Sequence, residues 1–248
     1  MTMNQPARSS TDSPATAADN VFEAILADIV RGVYPSKSRL PAERELARLL
    51  GASRPTIREA LSRLGEWCLV EARRGSGVVV REQRDWSIDV LPAFLRYAGA
   101  AIPPAHLARM IRDLLALRRG ITVDCVALVA DRLAGADFGP SRAALRMAWE
   151  RRDDPAGFTE ADLALMRGVI ELADFMPGVW LLNRMKGVYL EIARALSGGI
   201  APPPDYPLAL ERVFESLEDG RGNDAVRILR DYLEYHDQRM LTALGANP

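Results

Sequence analysis

Histidine and cysteine are almost absent from this chain, with two of each among 248 residues. Cys68 and Cys125 stand far apart, without metal-ligand spacing and in apolar surroundings, so they read as buried thiols of a reducing compartment. His106 and His236 cannot assemble a histidine-rich metal site. His106, at a proline-marked helix start, reads as a surface or capping residue. No apolar run approaches the roughly 20 residues that cross a bilayer, and the N-terminus lacks a basic-then-apolar signal pattern. A soluble cytoplasmic protein without membrane association is expected. Also missing are a nucleophile elbow, a phosphate-binding loop and any Cys/His pair spaced for catalysis. These absences speak against an enzyme, and no metal or other cofactor is expected. No repeat of solenoid period is found. Charge of one sign is lacking too: 32 Lys and Arg face 33 Asp and Glu, which excludes a polycation.

The charge is nevertheless unevenly placed. Residues 1–84 carry 13 basic and 10 acidic side chains, whereas the remainder carries 19 and 23. A mildly basic head on an acidic body suits a small DNA-contacting module joined to a second domain. Residues 1–18 (MTMNQPARSSTDSPATAA) are small, polar and proline-containing, and a disordered tail is expected there. The expected domains are therefore 19–84 and 85–248.

The strongest pattern lies in residues 39–81, RLPAERELARLLGASRPTIREALSRLGEWCLVEARRGSGVVVR. Before it, VFEAILADIVRG from Asn20 places Val21, Ile25, Leu26, Ile29 and Val30 on one helical face, ended by Gly32. Pro41 marks the first turn of a second helix with Leu46, Leu49 and Leu50 facing inward, and Gly51 stops it. Ser53 caps a third helix with Pro55 in its first turn and Ile57, Ala60, Leu61 and Leu64 as its buried stripe. CLVEA and GVVVRE read as two strands joined by the basic tip RRGSG. Short helices, a three-residue link and a basic hairpin make a winged helix-turn-helix. Arg54, Thr56 and Arg58 lie near the start of the third helix, the end that enters a major groove. An arginine there can grip guanine O6 and N7, worth about 1–3 kcal/mol of discrimination per base pair. Thr56 suits a phosphate, Arg44 can reach the same strip, and the wing can follow the backbone or a minor groove.

LPAERELARLLGASRPTIREALSRL resembles the signature of the GntR family of bacterial transcription regulators, a likeness spanning roughly residues 20–82. It implies DNA contacts from Glu43, Arg44, Arg54, Thr56, Arg58, Arg74 and Gly75, with the capping Ser53 beside them. Pro55 departs from the threonine or valine common there, so the resemblance implies no base contact from that side chain.

From Ser87 onward the apolar spacing is helical through 104–133, 139–152, 158–175, 178–197, 206–219 and 222–244. Pro103-Pro104, Gly135, Asp153-Asp154-Pro155, Pro177-Gly178, SGGIAPPPDYP and Asp219-Gly220 supply the breaks. An antiparallel all-α bundle of six or seven helices is expected. Behind such a head, this bundle resembles the FadR branch, most specifically at FTEADLALMRGVIELADFMPGVWLLNRMKGVYLEIARAL and at LLALRRGIT, residues 114–122. A large subset of that branch holds a metal with an acidic residue and three histidines. Here Asp162 is present, but Met166, Leu210 and Tyr232 fall at the histidine positions, so metal is disfavoured and an organic ligand favoured. The resemblance implies effector contact by Arg118, which can hold a carboxylate, thioester or phosphate by charge-assisted hydrogen bonds. Asn183, Met185 and Tyr189 on NRMKGVY, and Tyr232 and His236 one turn apart on the last helix, are the other candidates. Leu233, His236 and Met240 depart from the small residues and tryptophan of the acyl-CoA regulators.

The expected protein is mostly α: a winged helix-turn-helix and an all-α effector domain. The expected function is a homodimeric transcription regulator, repressor or dual, on a short palindromic duplex, its affinity modulated by an organic effector, a fatty acyl-CoA first and a small carboxylate second. A ligand-free DNA binder is the further alternative.

Overall fold

The computed structural model describes residues 16–98, 102–195 and 202–243 and divides into two compact units, Met1–Ala98 and Gly99–Pro248. Residues 1–15, most of the expected tail, lie outside the described residues.

The first unit opens with α1 (Ala17–Val30), whose start falls within the stretch expected to be tail. Thr16 explains the early start. Its hydroxyl accepts from the Asp19 amide while the Asp19 carboxylate accepts from the Thr16 amide, a reciprocal cap that satisfies two otherwise orphaned donors. After Gly32 (φ 78°) the chain reaches α2 (Glu43–Leu49) and α3 (Arg54–Glu66). Pro41 precedes the α2 cap residue, Ala42, rather than occupying the first turn. Leu46 is buried as expected, but Leu49 is 54% exposed, because seven residues give α2 only two turns and one inward stripe. Ile57, Ala60 and Leu64 of α3 are fully enclosed against Phe22, Ile25 and Leu26 of α1.

β1 (Val70–Arg73) and β2 (Gly77–Val80) pair antiparallel, with Val70 opposite Val80 and Arg73 opposite Gly77. The loop before α2 pairs with the outer edge of β2: Lys37 N–H donates to Val80 O, Leu40 N–H to Val78 O, and Val80 N–H to Ser38 O. The wing is thus stiffened on both sides, a feature the strand pattern alone did not contain. α4 (Leu91–Tyr97) also belongs to this unit, with Val90 and Ala93 in its core and the Tyr97 hydroxyl donating to Glu23 at 2.6 Å. The boundary accordingly falls after Ala98 and not at 84/85.

The second unit is an all-α bundle: α5 (Pro104–Val129), α6 (Gly139–Glu150), α7 (Pro155–Leu172), α8 (Met176–Ala195), α9 (Tyr206–Glu218) and α10 (Gly222–Ala243). Their ends lie at or within a few residues of the expected prolines, glycines and acidic pairs, α5 ending at Val129 short of the expected 133; residues 196–201, within one expected break, lie outside the described residues. α6 packs on α7, α7 on α8, α9 on α10 and α10 on α5. Phe138, Leu133, Ile170 and Leu217 are fully enclosed in the common core, each contributing about 1.5–3 kcal/mol by leaving water. Arg142 of α6 donates to Glu211 and to both oxygens of Glu218, tying α6 to α9. Gly222 sits where α10 starts against the turn after α5; a Cβ there would lie 2.7 Å from that of Ala130, so only glycine permits this approach. Both cysteines prove half-buried rather than enclosed.

Candidate functional site

Two places gather the residues singled out by the sequence. The first is the start of α3. Ser53 accepts from the Thr56 amide at 3.3 Å, and the two hydroxyls lie 2.7 Å apart, so Thr56 shares in the cap that aims the helix end. Arg54 and Arg58 stand out from this end with side chains 60% and 64% exposed. Glu43, at the start of α2, lies between them: its Oε2 accepts from Arg58 Nε at 2.8 Å and is 4.0 Å from Arg54 Nη2. Arg44 is exposed on the same helix. The wing tip places Arg74 in solvent beside Gly75, whose φ of 75° is the left-handed turn a glycine supplies. Sequence reasoning missed Arg39, which donates from Nη2 to Ser76 Oγ at 3.2 Å and so anchors the tip. The only signal for it was a basic residue in the loop preceding α2.

The second place is a cavity of about 210 Å³ within the bundle, walled by α5, α7, α8, α9 and α10. Its lining is mainly Leu, Ile, Val, Met and Phe, interrupted by a few polar side chains. Arg118, Met185, Tyr189, Tyr232 and His236 all face it, as do Leu233 and Met240. Asn183 does not. It is exposed on α8, because two positions from Met185 is about 200° around a helix and points away from the cavity.

The polar groups of the cavity are coupled. The Tyr206 hydroxyl donates to Asp162 Oδ1 at 2.7 Å. Burial pushes the Asp162 carboxyl upward, against the pull of Tyr206 and Arg118. Burial raises the Tyr189 phenol to about 12 and the Tyr206 and Tyr232 phenols further, so all three remain protonated donors. His236 is driven down to about 3, first by burial and then by the positive charge of Arg118 and Arg239, which keeps its ring neutral. Arg118 Nη2 and Arg119 Nη1 each donate at 2.6 Å to a different oxygen of Asp237. Burial raises the Asp237 carboxyl, while the two guanidiniums, one on each oxygen, oppose that rise. Arg118 Nε and His236 Nδ1 are buried and have no partner among the described residues. An aromatic series links α6, α9 and α10 beside the cavity. Trp149 stacks on Tyr206 (6.3 Å, 18°), Tyr206 leans on Tyr232 (6.0 Å), and Tyr232 stacks on His236 (6.2 Å, 3°).

Asp162, Met166, Leu210 and Tyr232, the four positions of the metal-binding pattern, do converge on this cavity. Their chemistry does not fit a metal: the carboxyl is engaged by Tyr206 and Met166 sulfur takes a long contact from Thr122 Oγ1 at 3.9 Å. No group of three His, Cys, Asp or Glu among the described residues could hold an ion. Tyr206 and Asp237 were not singled out by the sequence; Tyr206 stands one turn before Leu210, the available hint.

The profile of the bacterial regulatory proteins, gntR family, matches residues 17–80. The chain is 28% identical over 227 residues to the HTH-type transcriptional regulator Mce2R of Mycobacterium tuberculosis, covering 91% of this chain and 92% of that one. It is 30% identical over 224 residues to the fatty acid metabolism regulator protein of Klebsiella pneumoniae, covering 89% and 87%. In fold it is similar to Lar, which controls expression of the Listeria monocytogenes agr system: TM-score 0.61 at 16% identity, over 92% of this chain and 98% of that one.

Proposed function

We propose that this chain, which belongs to the GntR family of bacterial regulatory proteins, is a metabolite-responsive regulator that grips a short palindromic duplex as a homodimer and changes its hold when a fatty acyl-CoA fills the cavity. The coarser function is plain: it is a helix-turn-helix transcription regulator of FadR type, and not an enzyme.

The observation that carries the effector reading is the cavity itself, an apolar chamber whose lining, among the described residues, holds one guanidinium, Arg118, with an Nε that has no acceptor among them. An unsatisfied charged donor in an apolar wall is costly unless a ligand completes it. The apolar lining suits an acyl chain, and the Arg118 guanidinium suits its carbonyl. Likeness to a regulator named for fatty acid metabolism supports the same class.

At the other end, Arg54 and Arg58 read base edges from the start of α3, while Arg44, Thr56, Arg74 and the amides beside Ser53 and Gly75 hold phosphates. Two-fold symmetry of a homodimer would set the two helices on half-sites one turn apart. Effector and DNA need a coupling of only about 1–3 kcal/mol, supplied by a ligand that prefers the non-binding arrangement. The absence of a membrane-crossing helix among the described residues is compatible with work in the cytoplasm.

A duplex selected from a random pool, labelled and titrated with the protein, tests this. Acyl-CoA should release it, and the Arg54→Ala, Arg58→Ala double variant should lose selectivity over unrelated sequence. Retained affinity across a panel of acyl-CoAs and small carboxylates would remove the effector reading, and retained selectivity in the double variant would remove the assigned interface.

A further inference from the structure

One side of α8 is used within the protomer: Val179, Leu182 and Met185 are buried, where α8 packs on α7 and borders the cavity. The other side carries Met176, Trp180, Arg184, Gly187 and Glu191, which at 100° per residue fall within an arc of about 80°. Met176 is 38% and Trp180 66% exposed, Arg184 and Gly187 are open to solvent, and Glu191 is half-buried. Exposed apolar surface of this kind marks contact sites, and tryptophan is enriched at them.

Nothing within the protomer requires a glycine at position 187. A Cβ there would meet no atom within 4 Å, and the residue lies in the interior of a helix, where glycine is unfavourable beside alanine. What a bare backbone does permit is the close approach of another chain.

The spacing decides which chain. Gly187 lies three residues after Arg184 and four before Glu191, so the midpoint between the two charges falls beside it. A two-fold axis through that midpoint lays α8 antiparallel on α8 of a second copy. Equal and opposite offsets then set Arg184 of each copy against Glu191 of the other, giving two reciprocal ion pairs around a glycine crossing. Gly120 of α5 is equally open, with Leu117 and Asp124 at the same two offsets. There the same operation opposes a leucine to a carboxylate. Charge complementarity therefore selects α8.

We propose that the outer face of α8 is the surface through which two copies of the bundle pair, antiparallel and centred on Gly187. The inference rests on the homodimer reading above and adds the contact face and its register. Met176 and Trp180 supply apolar area, while the two ion pairs fix the alignment.

The test is sedimentation equilibrium of the full chain without DNA. Arg184→Glu and Glu191→Arg each bring like charges together in a homodimer, and each should raise the dimer dissociation constant by at least about tenfold. Mixed in equal amounts, the two variants again oppose unlike charges at both positions. A heterodimer should then form with an affinity within about threefold of the unaltered protein. No contact confined to one protomer produces that rescue. Gly187→Leu should retain helical circular dichroism yet weaken association by a similar factor; if a charge variant does not fold, this one decides alone. Variants that dimerise as tightly as the unaltered chain overturn the proposal, as does a mixture that recovers nothing, and in both cases the homodimer reading survives. If the unaltered chain sediments as a monomer at every concentration, both readings fall together.

Discussion

Glu43 Oε2 accepts a hydrogen bond from Arg58 Nε at 2.8 Å, joining the first residue of α2 to the exposed start of α3. The carboxylate orients the guanidinium and, in the proposed interface, places one negative charge where DNA phosphates would approach. Glu43→Gln should therefore raise affinity for unrelated duplex by about threefold at low salt, the scale of an exposed ion pair, and narrow the margin for the selected site. Fluorescence anisotropy with both duplexes measures this; an unchanged ratio would show that Glu43 does not orient Arg58.

The wing should behave differently from the helix. Arg74 is exposed at the tip and suited to a phosphate, so Arg74→Ala should weaken all sequences alike and lower the salt slope by about 1. Arg54→Ala should instead cost about 1–3 kcal/mol for the selected site alone. Binding isotherms across a salt series separate the two patterns.

Within the cavity, the Tyr206 hydroxyl donates to Asp162 Oδ1 at 2.7 Å. Tyr206→Phe leaves that enclosed carboxyl without it and should destabilise the bundle by about 1–3 kcal/mol. Urea denaturation would show it, and a shift no larger than that of an exposed Tyr235→Phe control would argue that the bond carries no stability.

Acid should loosen the same region. His236 is held at about 3 against an ordinary 6.5, so between those values the unfolded chain takes a proton that the folded ring refuses. Its contribution is complete above 6.5 and is lost as pH falls toward about 3. Asp162 and Asp237, raised above 3.8, work in the opposite sense, losing stability as pH rises through their shifted values. His236→Gln should accordingly be less acid-sensitive than the unaltered protein when denaturation midpoints are compared above and below 6.5. Parallel curves for the two proteins would refute the assignment.

Much of this was legible in the sequence because punctuation residues set it locally. Ser53 with Pro55, Gly32, Gly51 and the pair Pro177-Gly178 fix helix ends by geometry that needs no distant partner. The reach of α1 back to Ala17 was hidden in a small polar stretch, where the Thr16–Asp19 cap outweighs composition. α4 was hidden because LPAFLRY is too short to show a period, and its membership of the first unit depends on Glu23, 74 positions away. In the cavity, helical periodicity could not tell which side of α8 faces inward, which is why Asn183 was grouped with Met185. Asp237 pairs with arginines 118 and 119 positions earlier, a relation no local pattern carries.

The aromatic series from Trp149 through Tyr206 and Tyr232 to His236 gives the bundle a built-in optical gauge. An indole lying against phenols that border the chamber changes its emission when those rings tilt. Occupancy can then be followed in unlabelled protein by ultraviolet fluorescence, with Trp149→Phe as the blank.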